Sequence, residues 1–146
     1  MKNKLLVLLS LIMIVFSTSA FAKKVEKLPV MRDGLFYEYF SPILANGTYE
    51  IYYENGQLKA RRTYKDGKRD GLTEYYYENG QLKARRTYKD GNRDGLWEYY
   101  HENGQLQYKG TYKDGRQEGL VEYYNEEDGK LTSKCFWVNG KEYECE

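Results

Sequence analysis

His101, Cys135, Cys145 and the acid-rich turn Asp90–Gly95 are the residues of this chain whose types suit a metal or catalytic site. His101 is the one histidine among 146 residues. A zinc site needs further imidazole or thiolate ligands, and a nucleophilic triad needs a hydroxyl or thiol beside its base. No Ser or Cys stands near His101 in sequence. The run Asp90-Gly91-Asn92-Arg93-Asp94-Gly95 starts like a calcium loop, whose alternate oxygens surround the ion. The match then fails, because His101 takes the place of the bidentate Glu. Related turns carry Lys68 and Arg116 where Asn92 stands, and a cation there repels calcium. The sequence offers no catalytic residue, no metal site and no cofactor.

Rings remain as the candidate binding chemistry. Tyr alone accounts for 17 residues, with 2 Trp and 5 Phe. Tyr and Trp are enriched where proteins bind one another, since each brings a large apolar area with a polar tip. Trp97, Tyr99 and Tyr108, with Tyr75 and Tyr77, are the candidate partner-binding residues. Their alternative role is to pack on each other along a sheet.

A 24-residue unit, repeated four times, must position them: Gly47–Asp70, Gly71–Asp94, Gly95–Glu118, and Gly119–Glu142 with one inserted residue near Glu126–Asp128. Units this short cannot bury an apolar face alone and have to stack. Each holds two turn signals. Asn55-Gly56, Asn79-Gly80 and Asn103-Gly104, with Asp128-Gly129 in the last unit, predict two-residue type I′ turns, which need φ > 0 at both central residues. Lys65-Asp66-Gly67, Lys89-Asp90-Gly91 and Lys113-Asp114-Gly115 are the second signal. No unit has room for a helix. The fold class is therefore all-β: an antiparallel hairpin meander of about eight strands, a ribbon roughly 40 Å long at about 4.8 Å per strand. Residues 23–46 precede the repeats at 47–142, and 143–146 form a tail.

A two-residue turn at each Asn-Gly sets Glu50 opposite Arg61, Glu74 opposite Arg85 and Glu98 opposite Lys109, and Glu122 opposite Lys134 survives the insertion. Opposed unlike charges are favourable across strands. The same register puts Glu102 opposite Gln105, His101 opposite Leu106, Tyr99 opposite Tyr108 and Trp97 opposite Gly110. One face then carries Tyr49, Tyr53, Tyr64, Tyr75, Tyr77, Tyr88, Trp97, Tyr99, Tyr108 and Tyr112; the other carries the charged pairs with Tyr52, Tyr76 and Tyr100. The basic runs Lys59-Ala60-Arg61-Arg62 and Lys83-Ala84-Arg85-Arg86 read as a solvated face paired with carboxylates, although Arg62 and Arg86 take the position of Gly110, opposite Tyr49 and Thr73. A two-residue turn at Asn139-Gly140 sets Cys135 opposite Glu144, so a disulfide between Cys135 and Cys145 needs a bulge or a frayed end.

Lys2 and Lys4, the apolar run Leu5–Phe16 and the small residues of Ala20-Phe21-Ala22 form a secretory signal peptide cut after Ala22, too short in its apolar part to span a bilayer. It directs the chain to the periplasm or outside the cell. Of 23 Lys and Arg against 22 Asp and Glu, the signal holds Lys2 and Lys4, leaving 21 against 22, a net −1. That balance, with export, excludes nucleic acid as a partner.

The stretch GLWEYYHENGQLQYKGTYKDGRQEG, Gly95–Gly119, resembles the MORN-repeat variant, whose units read roughly Gly-x-Trp-x-x-Tyr, Asn-Gly-x-Leu, Tyr-x-x-Gly. The resemblance covers about residues 30–142, with Trp97 replaced by Tyr49, Thr73 and Val121 in the other units. It implies a β-ribbon used as a contact surface for protein or lipid. It also implies the antitoxin label given to bacterial chains of the YwqK type, in a toxin–antitoxin system. The expected function is a non-enzymatic, exported protein-binding module whose partner is a toxin on the antitoxin reading. The alternative is an envelope-lipid or membrane-surface binder using Arg61, Arg62, Arg85 and Arg86.

Overall fold

Two kinds of tight turn alternate along the chain and fold it back on itself. The structure, a computed structural model, describes residues 28–39 and 41–146. The expected signal peptide, residues 1–22, lies outside them. Among the described residues β1 (Val30–Arg32) and β2 (Leu35–Tyr37) form a separate hairpin. Nine further strands make one antiparallel sheet in chain order: β3 (Gly47–Tyr52), β4 (Leu58–Lys65), β5 (Lys68–Tyr76), β6 (Leu82–Lys89), β7 (Asn92–Tyr100), β8 (Leu106–Lys113), β9 (Arg116–Tyr124), β10 (Leu131–Val138) and β11 (Lys141–Cys145). This is the all-β hairpin ribbon the sequence predicts. The strand beyond the expected eight is β11, built from the C-terminal residues.

The two turns exchange the roles expected of them. The left-handed pair that defines a type I′ turn occurs at Asp66-Gly67 (φ 48° and 72°), Asp90-Gly91 (49° and 87°) and Asp114-Gly115 (48° and 83°). In the Asn-Gly turns only the glycine has positive φ. There Gly104 N–H donates to His101 C=O (2.9 Å), His101 N–H donates to Gln105 C=O (2.8 Å), and the strands meet through a bulge between Tyr99 and Tyr100. Tyr100, not His101, therefore faces Leu106, and Glu102 does not pair with Gln105. The asparagine is held by its side chain instead. Its Oδ1 accepts from Gln105 N–H (2.9 Å), while its Nδ2 donates to Glu126 C=O of the following unit (2.8 Å). Asn55 and Asn79 do the same with Glu78 and Glu102. At the opposite edge Asp70 accepts from Asp90 N–H (3.1 Å) and Asp94 from Asp114 N–H (3.5 Å). The 24-residue period is thus written into both edges as bonds from one unit's side chains to the next unit's turn.

Beyond the bulge the register is the expected one. Glu50–Arg61, Glu74–Arg85, Glu98–Lys109 and Glu122–Lys134 are direct partners. They form a ladder across the strands, in which Arg61 reaches both Glu50 (2.8 Å) and Glu74 (3.3 Å), and Arg85 reaches Glu74 (3.4 Å) and Glu98 (3.8 Å). The far end closes with Lys134 on Glu146 (2.9 Å). Tyr76 adds a hydroxyl donor to Glu74 (3.0 Å). Both ends of the ladder, Glu50 and Glu146, are acidic, so edge-to-edge pairing of two copies in ladder register would oppose like charges.

The Asn139-Gly140 turn is type I′ as expected, with φ of 51° and 76°. A bulge between Phe136 and Trp137 then shifts the register by one, so that Cys135 faces Cys145 rather than Glu144. Their sulfurs are bonded at 2.06 Å. At the other end the β1–β2 hairpin docks on the first Asp-Gly turn: Phe36 N–H donates to Gly67 C=O (2.7 Å) and Gly67 N–H to Ala45 C=O (3.0 Å). A Cβ on Gly67 would lie 2.7 Å from the Phe36 carbonyl, so only glycine fits there.

The Glu74 side chain is only 9% exposed and its charge depends on two arginines. Arg61→Met with Arg85→Met strands that carboxylate and is expected to cost about 3–5 kcal/mol, the scale of an unpaired buried charge. Lys130→Met, which breaks the exposed pair with Asp128, is expected to leave the urea midpoint unchanged. Urea denaturation of the variants beside the unmutated protein measures both.

Candidate functional site

Strand alternation sends the adjacent Arg61 and Arg62 to opposite faces. Arg61 and Arg85 join the carboxylate ladder. Arg62 and Arg86 lie among the rings of the other face, so the expected solvated, carboxylate-paired surface holds for one member of each basic run only. The aromatic face is in fact a lattice of rings and guanidinium groups.

Its centre is Trp97, 3% exposed. The indole touches the rings of Tyr88 (5.5 Å), Tyr112 (4.9 Å) and Tyr99 (6.3 Å). The guanidiniums of Arg86 (5.1 Å) and Arg93 (4.7 Å) lie over it, and its N–H donates to Thr87 C=O (3.1 Å). Gly110 is its cross-strand partner, and a Cβ there would meet the Tyr108 hydroxyl at 2.5 Å. Trp97 is therefore a packing centre covered by its neighbours, and the reachable surface is built by what covers it.

Arg86 and Tyr99 of that cover belong to a row that runs across the strands as Arg62, Tyr75, Arg86, Tyr99, Tyr108 and Tyr123. Tyr75 lies under both Arg62 (5.5 Å) and Arg86 (4.8 Å), and Arg86 also stacks on Tyr99 (4.9 Å). Tyr99 and Tyr108, then Tyr108 and Tyr123, meet edge to face at 5.4 Å. A second line is Arg69 over Tyr88 (5.3 Å) and Arg93 over Tyr112 (5.3 Å). Each such stack stabilises by about 0.5–2 kcal/mol depending on its desolvation. Of the proposed contact residues, Trp97, Tyr99, Tyr108 and Tyr75 come together here. Tyr77 does not: its ring lies under Lys83 (5.1 Å), and its hydroxyl donates to Tyr100 C=O (2.8 Å).

Burial pushes the Tyr99 phenol up. Tyr108 is pushed much further, by burial and then by its hydrogen bond with the Tyr112 hydroxyl. Gln117 Nε2 donates to the Tyr108 oxygen at 2.8 Å.

The other chemical candidates resolve into structure. His101 Nδ1 is 3.7 Å from Glu126 Oε2, in the place where Tyr53 and Tyr77 hold the next unit by their hydroxyls. Asp90 occupies a type I′ turn and Asn92 starts β7, so the calcium-like run is hairpin rather than ion loop. Among the described residues Cys135, Glu142 and Cys145 approach closely enough to share a metal ion, but the sulfurs are bonded to each other and supply no thiolate.

Sequence reasoning missed two sets of residues. Arg69 and Arg93 recur at one repeat position, two after the glycine of Lys-Asp-Gly, and that period is their signal. Leu72, Leu96 and Leu120 stay exposed beside the charged ladder, with Phe136 paired to Leu120; the recurring Gly-Leu dipeptide marks them.

Residues 45–66, 69–90 and 93–114 match the MORN repeat variant. Over these three units the chain is similar to the MORN repeat variant, a repeat commonly found in modules that bind proteins or membranes. No curated protein sequence matches it. Among solved structures, the crystal structure of TarM aligns with 88% of this chain and 23% of that chain, at 11% identity and a TM-score of 0.42. This chain spans under a quarter of that protein, and a likeness so slight carries no argument.

Two outcomes follow from the lattice. Trp97→Ala is expected to cost about 3–5 kcal/mol in chemical denaturation, the range for emptying a core aromatic site. The raised phenols set an alkaline limit. Unfolded tyrosine ionises near pH ~10, whereas the folded state keeps Tyr99 and Tyr108 protonated above that value. Above pH ~10 the folded state thus binds more protons than the unfolded one, and stability falls as pH rises. Tyr108→Phe should flatten that fall, measured as melting temperature against pH alongside phenolate absorbance.

Proposed function

We propose that this protein is an exported, non-enzymatic module that binds a protein partner through the arginine and tyrosine face. The observation that carries the reading is the row Arg62, Tyr75, Arg86, Tyr99 and Tyr108, which stays partly exposed across the strands while Trp97 beside it is sealed by its neighbours. Large rings and guanidiniums held rigid before binding lose little entropy on docking, which is why such residues dominate binding surfaces. The leader read in residues 1–22 supports export. On this reading the partner of an exported chain of the antitoxin-labelled kind is a secreted or periplasmic toxin, and the protein acts as an immunity factor.

The lipid-surface alternative asked Arg61, Arg62, Arg85 and Arg86 to act together. They are on two faces, and Arg61 and Arg85 are committed to Glu50, Glu74 and Glu98. That removes the single basic patch on which the alternative depended.

The full-length chain, tagged at its C terminus and used as bait in an envelope extract of its own cell, is expected to retain one protein in near-stoichiometric amount. Retention of lipid alone, or of nothing, overturns the reading.

A further inference from the structure

From β4 to β9, among the described residues, the aromatic face holds four guanidinium groups and no acid; Glu142 of β11 lies beyond them, near Tyr123. From β4 to β9 the side chains alternating onto it are Ala60, Arg62, Tyr64, Arg69, Thr73, Tyr75 and their repeat equivalents, with no Asp or Glu among them. Among the described residues, Arg62, Arg69, Arg86 and Arg93 have no carboxylate within ion-pair distance, although Arg61 and Arg85 have two each. These groups meet rings rather than carboxylates, and few protein acceptors reach their N–H groups. Arg69 gives one bond, to the Tyr88 hydroxyl (3.2 Å). The Nε atoms of Arg62 and Arg86 are buried with no partner, and the hydroxyl of Thr73, 0% exposed between these two arginines, also has none.

A guanidinium is an obligatory multi-donor, and leaving its donors unmet beside low-dielectric rings is unfavourable. The arrangement is completed by acceptors brought from outside, and carboxylates match the planar fork two bonds at a time. Arg62 and Arg86 are two strands apart, as are Arg69 and Arg93, a spacing of roughly 10 Å. We propose that the arginine and tyrosine face is a recognition groove for an acidic protein segment, whose carboxylates seat on Arg62 and Arg86 and, along the second line, on Arg69 and Arg93. This rests on the binding-module reading and names the chemistry of its partner. A membrane surface meets groups that stand proud of a sheet. Arg62 and Arg86 instead sit among the rings of Tyr75 and Tyr99, partly buried, where a carboxylate on a chain can reach them and a plane of headgroups reaches them poorly.

Fluorescence anisotropy with a labelled peptide of alternating Glu and Ser, and the same peptide with Gln for Glu, tests this on the full-length chain. The Glu peptide binds and the Gln peptide does not. Arg62→Gln with Arg86→Gln weakens binding at least about tenfold, the scale of losing charge-assisted bonds. Lys59→Gln with Lys83→Gln removes the same charge away from the Arg62 and Arg86 row, where those ammoniums cover Tyr53 and Tyr77, and changes binding less than about twofold. In the unmutated protein the Nε–H resonances of Arg62 and Arg86 shift on adding the Glu peptide, and those of Arg61 and Arg85 stay, which needs no variant to fold. Equal losses in the two double variants, equal binding of the two peptides, or binding of phosphatidylglycerol vesicles in preference to the Glu peptide overturns the groove. A protein partner retained equally by the unmutated chain and by the Arg62/Arg86 variant overturns it too, while leaving the binding-module reading standing. An empty bait with intact Glu-peptide binding counts against that reading instead.

Discussion

A single sheet has no second layer, and that constraint governs this molecule. Two-layer domains bury one face of each sheet against another element. Here each strand's large side chains must be covered by those of the strands beside it. Guanidinium on ring is the solution used in the middle of the ribbon. Arg86 alone covers Tyr75, Trp97 and Tyr99, and Arg93 covers Trp97 with it. An aliphatic residue of that length would be left apolar and wet. An arginine seals the rings with its plane and keeps its charge near water, and so stabilises the fold while leaving an ionic surface above it.

The opposite face meets the same constraint differently. Acid and base alternate strand by strand, so every charge between the two end glutamates has an opposite neighbour on both sides. Electrostatics thus divides the ribbon: one face is compensated internally and the other is cationic. The near-zero total charge conceals this, because a sum over the chain cannot register which side of a sheet each residue takes.

How far the sequence was legible follows from the same geometry. Period-two alternation and one turn were enough to pair Glu74 with Arg85 and Trp97 with Gly110 correctly. Turn type was not legible. Asn-Gly and Asp-Gly carry similar backbone preferences, and what separates them is the contact each makes with the next unit, Asn103 with Glu126 and Asp70 with Asp90. Register already set Arg62 and Arg86 opposite Tyr49 and Thr73, as the structure has them, whereas reading each basic run as one solvated face ignored that a strand sends Arg61 and Arg62 to opposite sides. The disulfide turned on a single bulge between Phe136 and Trp137, and no residue type in the last hairpin announces it. Trp97 was correctly placed on the aromatic face, but the period that marks Arg93 does not say that its guanidinium joins Arg86 over the indole.

The third unit exposes the logic of the face by breaking the pattern. Units one and two carry Ala60 with Arg62 and Ala84 with Arg86; unit three carries Tyr108 with Gly110. The exchange keeps the space filled. Where the arginine is lost to Gly110, the small alanine becomes Tyr108, and its hydroxyl lies over the vacated position. The packing constraint is met both ways, yet the charge is not conserved. Arg69 and Arg93 likewise give way to Gln117, which binds the Tyr108 hydroxyl. The cationic lattice therefore ends at β7, and β8 and β9 continue it with tyrosine alone, through Tyr108 and Tyr123. Had the arginines served only to cover rings, the third unit shows a neutral substitute that does so. Their presence from β4 to β7 makes the ribbon polar along its axis, with an ionic half and an aromatic half. A partner that matches both halves is thereby fixed in direction as well as in place.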